Sequence, residues 1–164
     1  MSSRFLMDSA SIVVDYVPPV KKSVTSILNK MGVPGPLEMA RAFSRLEILP
    51  NPTPQDDQSG ETEKHVESPW QNVPKPTIDP NAWDKAEIAL VHFQDLKSTN
   101  TYCNRKNVKE HIESMGEAIT RYRSFALVAE IDGQAVIIDG HHRLFAMWLL
   151  GYDNAPVWYI KVGE

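Results

Sequence analysis

The residue types best suited to chemistry lie close together in the segment Asp139-Gly-His-His-Arg143. The apolar, β-branched residues 136–138 before it predict a buried strand. The apolar helical pattern after it stops at Gly151, which suits the left-handed position past a helix end, and Asp139 or Gly140 can cap the helix start. A strand that turns through glycine into a helix presents free backbone N–H groups and the positive end of the helix dipole at one point. The segment therefore predicts an anion site, and phosphate is the best candidate.

Three potential cations, His141, His142 and Arg143, fall in the first turn of this helix, where the dipole disfavours positive charge. A bound anion between them would explain that placement. Neighbouring helical residues point about 100° apart, so we do not expect both histidines to bind one metal ion. One histidine is expected to face the phosphate as a donor or general acid, and the other to pack or face solvent. The alternative is that Arg143 pairs with a carboxylate on the surface and that the histidines fill partly buried positions.

Phosphoryl transfer requires charge neutralisation, which Mg²⁺ held by carboxylates usually supplies. Asp139 is the predicted metal ligand or base. A two-residue hairpin turn at 132–133 would place Asp139 opposite Ala126, so that Glu130 would lie about 13 Å away along the strand. Asp95, at the end of an earlier strand, is the second predicted metal ligand. The several clustered carboxylates typical of a metal nuclease are not visible in the sequence.

The elements that must position this segment predict an α+β domain over residues 78–164. Its element order is a strand, a helix, a hairpin whose two strands are joined by Asp132-Gly133, a second helix and a last strand. The predicted bounds are 87–93 for the first strand, 105–122 for the first helix, 125–131 and 134–138 for the hairpin, and 156–162 for the last strand.

The chain before residue 78 has a different composition. Residues 1–49 predict an arm of two short amphipathic helices, at about 24–31 and 36–49, which pack on their own domain or on a partner. Residues 50–77 are acidic and rich in proline, and they predict an extended or disordered linker. Trp70 within this linker is expected to dock on its own domain, or less often on a partner.

Composition excludes several classes of protein. The net charge of −4 does not provide the basic surface of a general nucleic-acid or anionic-membrane binder, so DNA binding is not supported. The single cysteine, Cys103, cannot form an intramolecular disulfide and indicates a reducing compartment, so the cytoplasm is expected. No uncharged apolar run approaches the roughly 20 residues of a membrane span.

The string Asp139-Gly-His-His-Arg-Leu-x-Ala146, followed by Leu150-Gly151, resembles the phosphate-binding motif of the ParB/sulfiredoxin superfamily. It is most similar to the ParB-like branch, often labelled "ParB-like nuclease", and the likeness covers roughly the last half of the chain. The resemblance implies a small ParB/sulfiredoxin-like domain of β-α-β-hairpin-α-β order. It also implies a nucleoside triphosphate or diphosphate, such as ATP or CTP, with Mg²⁺. Sulfiredoxins need a cysteine inside this motif, whereas this chain has His141 there, so sulfinic-acid reduction is not expected.

The same resemblance assigns roles to particular residues. Gly140, His141, His142 and Arg143 would bind the nucleotide phosphates. The catalytic candidates, Asp139, His141 and His142, follow from the residue types discussed above. The segment 96–105 is similar to a second family stretch, which implies that Thr99, Asn100 and Arg105 line the pocket from the opposite side. Without the family, the same residues predict an ordinary turn followed by a helix that Asn104 caps.

Two functional hypotheses follow. The first is a nucleotide-binding ParB-like domain acting as a phosphotransferase, NTPase or nuclease; some relatives of this fold phosphorylate small substrates such as free serine. The second is a non-catalytic structural or assembly protein that keeps the fold and attaches to a protein partner through residues 1–50. Because stand-alone domains of this branch are common in phage genomes, the resemblance makes a virion or phage accessory component plausible.

Overall fold

The computed structural model describes residues 4–6, 13–15, 20–21, 31–52, 64–118 and 125–162. The helices within these residues are α1 (Pro36–Ile48), α2 (Arg105–Ala118) and α3 (His141–Leu150), with short 3₁₀ helices at Pro80–Lys85 and Phe93–Asp95. The strands are β1 (Arg4–Leu6), β2 (Val13–Asp15), β3 (Val20–Lys21), β4 (His65–Glu67), β5 (Glu87–His92), β6 (Leu96–Lys97), β7 (Tyr102–Asn104), β8 (Leu127–Ile131), β9 (Gln134–Asp139) and β10 (Asn154–Lys161). No helix among these residues is both long enough and apolar enough to cross a membrane.

A mixed six-stranded sheet forms the centre of the fold, in the order β3-β5-β10-β8-β9-β6. β10 is parallel to β8 and β6 is parallel to β9, while the other neighbouring pairs are antiparallel. The three α-helices contact one another, and the buried side chains of α2 and α3 form one core with those of the central strands. The α+β class is confirmed, as is the order strand, helix, hairpin, helix, strand; β3 and β6 are additions to that plan.

The β8–β9 hairpin decides where the Asp139 segment begins. Its turn residues Asp132 and Gly133 have φ values of 52° and 78°, the left-handed geometry expected of this hairpin turn. The register then shifts by one residue between Leu127 and Val128, so that Asp139 lies opposite Leu127. The prediction that Asp139 faces Ala126 was therefore wrong, because a β-bulge adds one residue, Ile138, to the β9 side of the ladder.

Helix α1 is the second of the two predicted arm helices, and the structure confirms it. Pro36 occupies its first turn, and the Gly35 N–H donates to the Glu38 carboxylate at 2.9 Å. Its Ala42 and Leu46 side chains are buried in the core of the domain. The Arg45 guanidinium donates to the carbonyl of Leu149 at 2.8 Å, which joins the helix to the end of α3. Most of the other predicted helix, at 24–31, lies outside the described residues.

Part of the predicted linker is fixed to the domain. β4 pairs with β7, and Trp70 stacks on Phe93 with ring centroids 6.0 Å apart and meets Phe145 edge-on at 6.3 Å. The expectation that Trp70 docks on its own domain is confirmed. Residues 53–63, the middle of that linker, lie outside the described residues.

Candidate functional site

The turn between β9 and α3 depends on Gly140. This residue has φ +90°, a left-handed conformation that non-glycine side chains rarely adopt, and its N–H donates to the Asp139 carboxylate at 2.8 Å. A Cβ at position 140 would lie 2.7 Å from the Cβ of Ala126, closer than packed carbon atoms can approach. Because glycine is also the N-cap residue of α3, it offers no side-chain oxygen to the first N–H groups of the helix. The predicted strand, tight glycine turn and helix are all present here.

His141 is buried and binds the loop that follows β6. Its Nε2 accepts the backbone N–H of Thr99 at 3.1 Å, and its Nδ1 lies 3.4 Å from the side-chain amide of Asn100. An imidazole nitrogen that accepts carries no proton, so the ring proton belongs on Nδ1. Burial lowers the pKa of His141 to about 4, and the nearby charges of His142 and Lys75 act in the same direction while Asp139 opposes them. His141 is therefore neutral at pH 7.

His142 makes the equivalent contact one residue later. Its Nε2 accepts the backbone N–H of Asn104 at 3.1 Å, and burial lowers its pKa from the ordinary value. It also borders a small cavity of about 290 Å³ between α3 and α2, which Glu110 and His111 line as well. Burial lowers the pKa of His111 too, with the charge of His142 as the next cause. The picture of His141 and His142 as two cations around an anion is thus wrong, because both rings accept backbone N–H groups.

Arg143 supplies the positive charge that the histidines do not. Its side chain is 3% exposed, and its guanidinium carbon lies 5.1 Å above the centre of the Phe125 ring. Burial lowers the pKa of Arg143 to about 10, which still leaves it charged at neutral pH. The predicted alternative of a surface arginine is wrong, because this side chain is buried inside the fold.

The structure brings two of the three residues from segment 96–105 to this point. Thr99 donates its hydroxyl to the carbonyl of Ile137 at 2.8 Å and its N–H to His141, and Asn100 lies against the same ring. Arg105 is directed elsewhere: it donates to the carbonyls of Leu46 and Leu49, both at 2.7 Å. Its guanidinium therefore satisfies the last turn of α1 and does not line the site.

The helix cap expected in this segment is also present. The Asn104 side-chain oxygen accepts the N–H of Asn107 at 3.2 Å, as an N-cap residue does. Asn104 thus caps α2 with its side chain and binds His142 with its own N–H.

The two carboxylates proposed as a shared metal site lie far apart. Leu96 pairs with Ala135, so Asp95 lies near the start of β9, whereas Asp139 ends that strand four residues later, about 13 Å away. Across the described ranges, no group of three His, Cys, Asp or Glu side chains is arranged to hold a metal ion. Asp139 by itself suits Mg²⁺ only where substrate phosphates supply further oxygen ligands.

Two residues of the predicted linker also reach this site and were not singled out in the sequence. The charge of Lys75 acts on His141, and that of His65 acts on His142. The sequence gave no sign of this, because both residues lie in a segment rich in prolines and acidic residues. The pairing of β4 with β7 brings His65 close to the site. The charges of Lys75 and His65 therefore act on the first turn of α3, which also contains Arg143, and Asp139 is the opposing charge.

No protein-family model matches the chain, and comparisons with curated proteins and with solved structures also give no match. The likeness to the ParB/sulfiredoxin superfamily therefore rests on the motif residues quoted above.

Proposed function

We propose that this chain is a ParB-like nucleotide-binding domain that holds phosphate at the start of α3. The observation that supports the proposal best is the left-handed Gly140 at the N-terminus of α3. Gly140 lets the chain pass from β9 directly into α3. The first N–H groups of α3 have no hydrogen-bond acceptor in the side chain of the cap residue, because glycine has none. A phosphate group is the ligand that such a terminus favours, both for its hydrogen-bond acceptors and for its charge.

The charges around the turn also support phosphate. Arg143 lies in the first turn of α3 itself, and the charge of Lys75 acts on His141 there. A phosphate oxygen accepts strong, charge-assisted hydrogen bonds from a guanidinium. Because His141 and His142 are neutral acceptors, their contribution in this proposal is to fix the loop at 99–104 against the turn. Arg143 and the backbone N–H groups thus bind the phosphate, whereas the two histidine rings hold the loop in position.

Catalysis at this site would depend on Asp139. It is exposed beside the turn, where its carboxylate can bind a phosphate-bound Mg²⁺ or accept a proton from an attacking hydroxyl. Neither histidine suits the general-acid role at neutral pH, since each already uses Nε2 as an acceptor. ATP or CTP with Mg²⁺ would be the cofactor, and Asp139→Asn should abolish turnover while binding persists.

One observation favours the second hypothesis, a non-catalytic structural or assembly protein such as a virion component. Both histidines of the motif hold together two parts of the fold, which is a sufficient reason for their presence. In this alternative the motif stabilises the domain, and residues near the N-terminus provide attachment. Since α1 belongs to the core, attachment is best tested by deleting residues 1–19 and measuring the size of the assembly by light scattering.

The proposal is tested by calorimetric titration of ATP, ADP, CTP and GTP, each with Mg²⁺. Wild type should bind one of them, and Arg143→Ala should weaken that binding at least about tenfold, the scale of a lost charge-assisted contact. Arg105→Ala is the control variant, because it removes the charge of another arginine, one that is hydrogen-bonded to the end of α1 and lies away from the site. Failure of every nucleotide to bind well-folded protein would reject the proposal and leave the structural alternative.

A further inference from the structure

A groove lies between the end of α1 and the start of α2. It has a volume of about 650 Å³, within the usual range for binding sites, and it shares no lining residue with the cavity that His142 borders. Its apolar lining comes from Leu46, Leu49 and Pro50. Ile48 is 81% exposed and adds apolar surface at the same end of α1. We call this surface the α1–α2 groove.

Three basic residues of α2 line the same groove. Arg105 is the first residue of the helix, Lys106 is the second, and Lys109 follows three positions later. Lys106 and Lys109 are both exposed, and residues three apart on a helix are neighbours on its surface. Among the described residues that line the groove, Glu47 is the one acid. The groove therefore carries a local positive charge on a chain whose net charge is −4.

Two of these cations contact neutral groups of the fold. The Arg105 guanidinium donates to two backbone carbonyls at the end of α1, both at 2.7 Å, and to the side-chain oxygen of Asn51 at 2.8 Å. The Lys109 Nζ lies 5.9 Å from the centre of the Phe43 ring. Carbonyls, an amide and a ring hold the two side chains in place but do not cancel their charge. A carboxylate that entered the groove would therefore be attracted by them.

The position of the cations on α2 is unfavourable for the helix itself. Arg105 and Lys106 lie in its first turn, where the helix dipole disfavours positive charge, and that turn contains no acidic residue. Lys106 and Lys109 also repel each other as like charges three positions apart. Natural sequences depart from such local preferences mainly at functional sites. An acidic partner would offset both unfavourable terms.

The combination of charge and apolar surface limits the class of partner. The phosphate backbone of a nucleic acid would use the basic residues but leave the apolar lining exposed. A fatty acid would cover the apolar lining, but it has a single carboxylate for three cations. A peptide that carries carboxylates on either side of a large apolar side chain uses both parts of the groove.

We infer that the α1–α2 groove binds an acidic peptide segment of a partner protein. A large apolar side chain of the segment packs against Leu49 and Pro50. Flanking carboxylates of the segment pair with Lys106 and Lys109, while Arg105, held by the end of α1, adds its charge. This binding needs no phosphate, so it is independent of the nucleotide site at the start of α3.

The test is selection of peptides on the wild-type chain from a phage-displayed library of random short peptides. The enriched peptides should combine acidic residues with at least one large apolar residue. Measured by fluorescence anisotropy with labelled synthetic peptides, binding to Lys106→Glu/Lys109→Glu should be about tenfold or more weaker, because attraction at two contacts becomes repulsion. Serine in place of the apolar residue of the peptide should cause a loss of similar size, and added salt should weaken binding.

The matched control is Lys85→Glu/Lys161→Glu. It makes the same change in net charge at two exposed lysines outside the groove, so peptide affinity should be unchanged. Lys106→Glu/Lys109→Glu should unfold at about the same urea concentration as wild type, because both lysines are exposed and an acid in the first turn of α2 suits the helix dipole. A loss of binding in this variant therefore reports on the groove and not on folding.

Three results would overturn the inference: no enriched peptide, enriched peptides without acidic residues, or binding that Lys106→Glu/Lys109→Glu leaves intact. Binding of a single-stranded oligonucleotide or of laurate that requires these lysines, with no acidic peptide bound, would also overturn it. None of these results bears on phosphate binding at the start of α3, which is recognised by its dependence on Arg143.

Discussion

Acidification should destabilise the fold through His141. The pKa of this buried ring falls from the ordinary 6.5 to about 4, because burial disfavours its charged form. Between these two pH values the unfolded chain binds more protons than the folded chain, so stability is fully present above pH 6.5 and is lost as the pH falls towards 4. At 1.36 kcal/mol per pKa unit, the gap corresponds to roughly 3 kcal/mol.

The measurement is urea unfolding of wild type and His141→Gln at pH 7, 6, 5 and 4. The glutamine variant has no titrating ring, so its free energy of unfolding should fall by roughly 3 kcal/mol less than that of wild type over this range. His142 and His111, whose pKa values are also lowered by burial, keep some pH dependence in both proteins. Identical pH slopes for the two proteins would refute the assignment of His141 as a buried neutral acceptor.

Two further substitutions test the packing around the site by urea unfolding. Gly140→Ala should lower the free energy of unfolding by more than about 2 kcal/mol, because it adds a clash with Ala126 to the strain of a left-handed residue. Gly151→Ala should lower it by only about 1 kcal/mol, the strain alone, since nothing lies within 4 Å of a Cβ at that position. Equal losses in the two variants would contradict the close approach of Gly140 to Ala126. Arg105→Ala should lose about 1.5–3 kcal/mol of stability, because its hydrogen bonds to the carbonyls at the end of α1 are removed. The control Lys106→Ala, at an exposed neighbouring residue, should change stability by less than about 0.5 kcal/mol. An Arg105→Ala variant as stable as wild type would contradict the capping role.

Local sequence patterns were sufficient for the elements that position the site. The apolar runs of β8 and β9, the Asp132-Gly133 turn and the Gly151 helix end all depend on residues within a few positions of one another. Gly151 has φ +96°, as the sequence predicted for the residue past a helix end. The strand, turn and helix that contain Asp139 could therefore be predicted without any long-range information.

The direction of each site side chain could not be predicted in the same way. Arg105 turns to α1 because the carbonyls of Leu46 and Leu49, more than fifty positions earlier, happen to lie beside it. The histidines became acceptors because the backbone of loop 99–104 reaches them across the fold. A single-residue bulge in β9 altered the partner of Asp139. Each of these depends on tertiary contacts that leave no periodic signal in the sequence.

The central claim is that the start of α3 binds phosphate, and backbone amide NMR tests it most directly. Titration with pyrophosphate, and with any nucleotide that calorimetry identifies, should shift the amide resonances of residues 141–143, because these first N–H groups of α3 would donate to the phosphate. The amides of residues 148–153, at the far end of the helix, should be unchanged by pyrophosphate. Saturating pyrophosphate and nucleotide that leave the amide resonances of residues 141–143 unshifted would contradict the account.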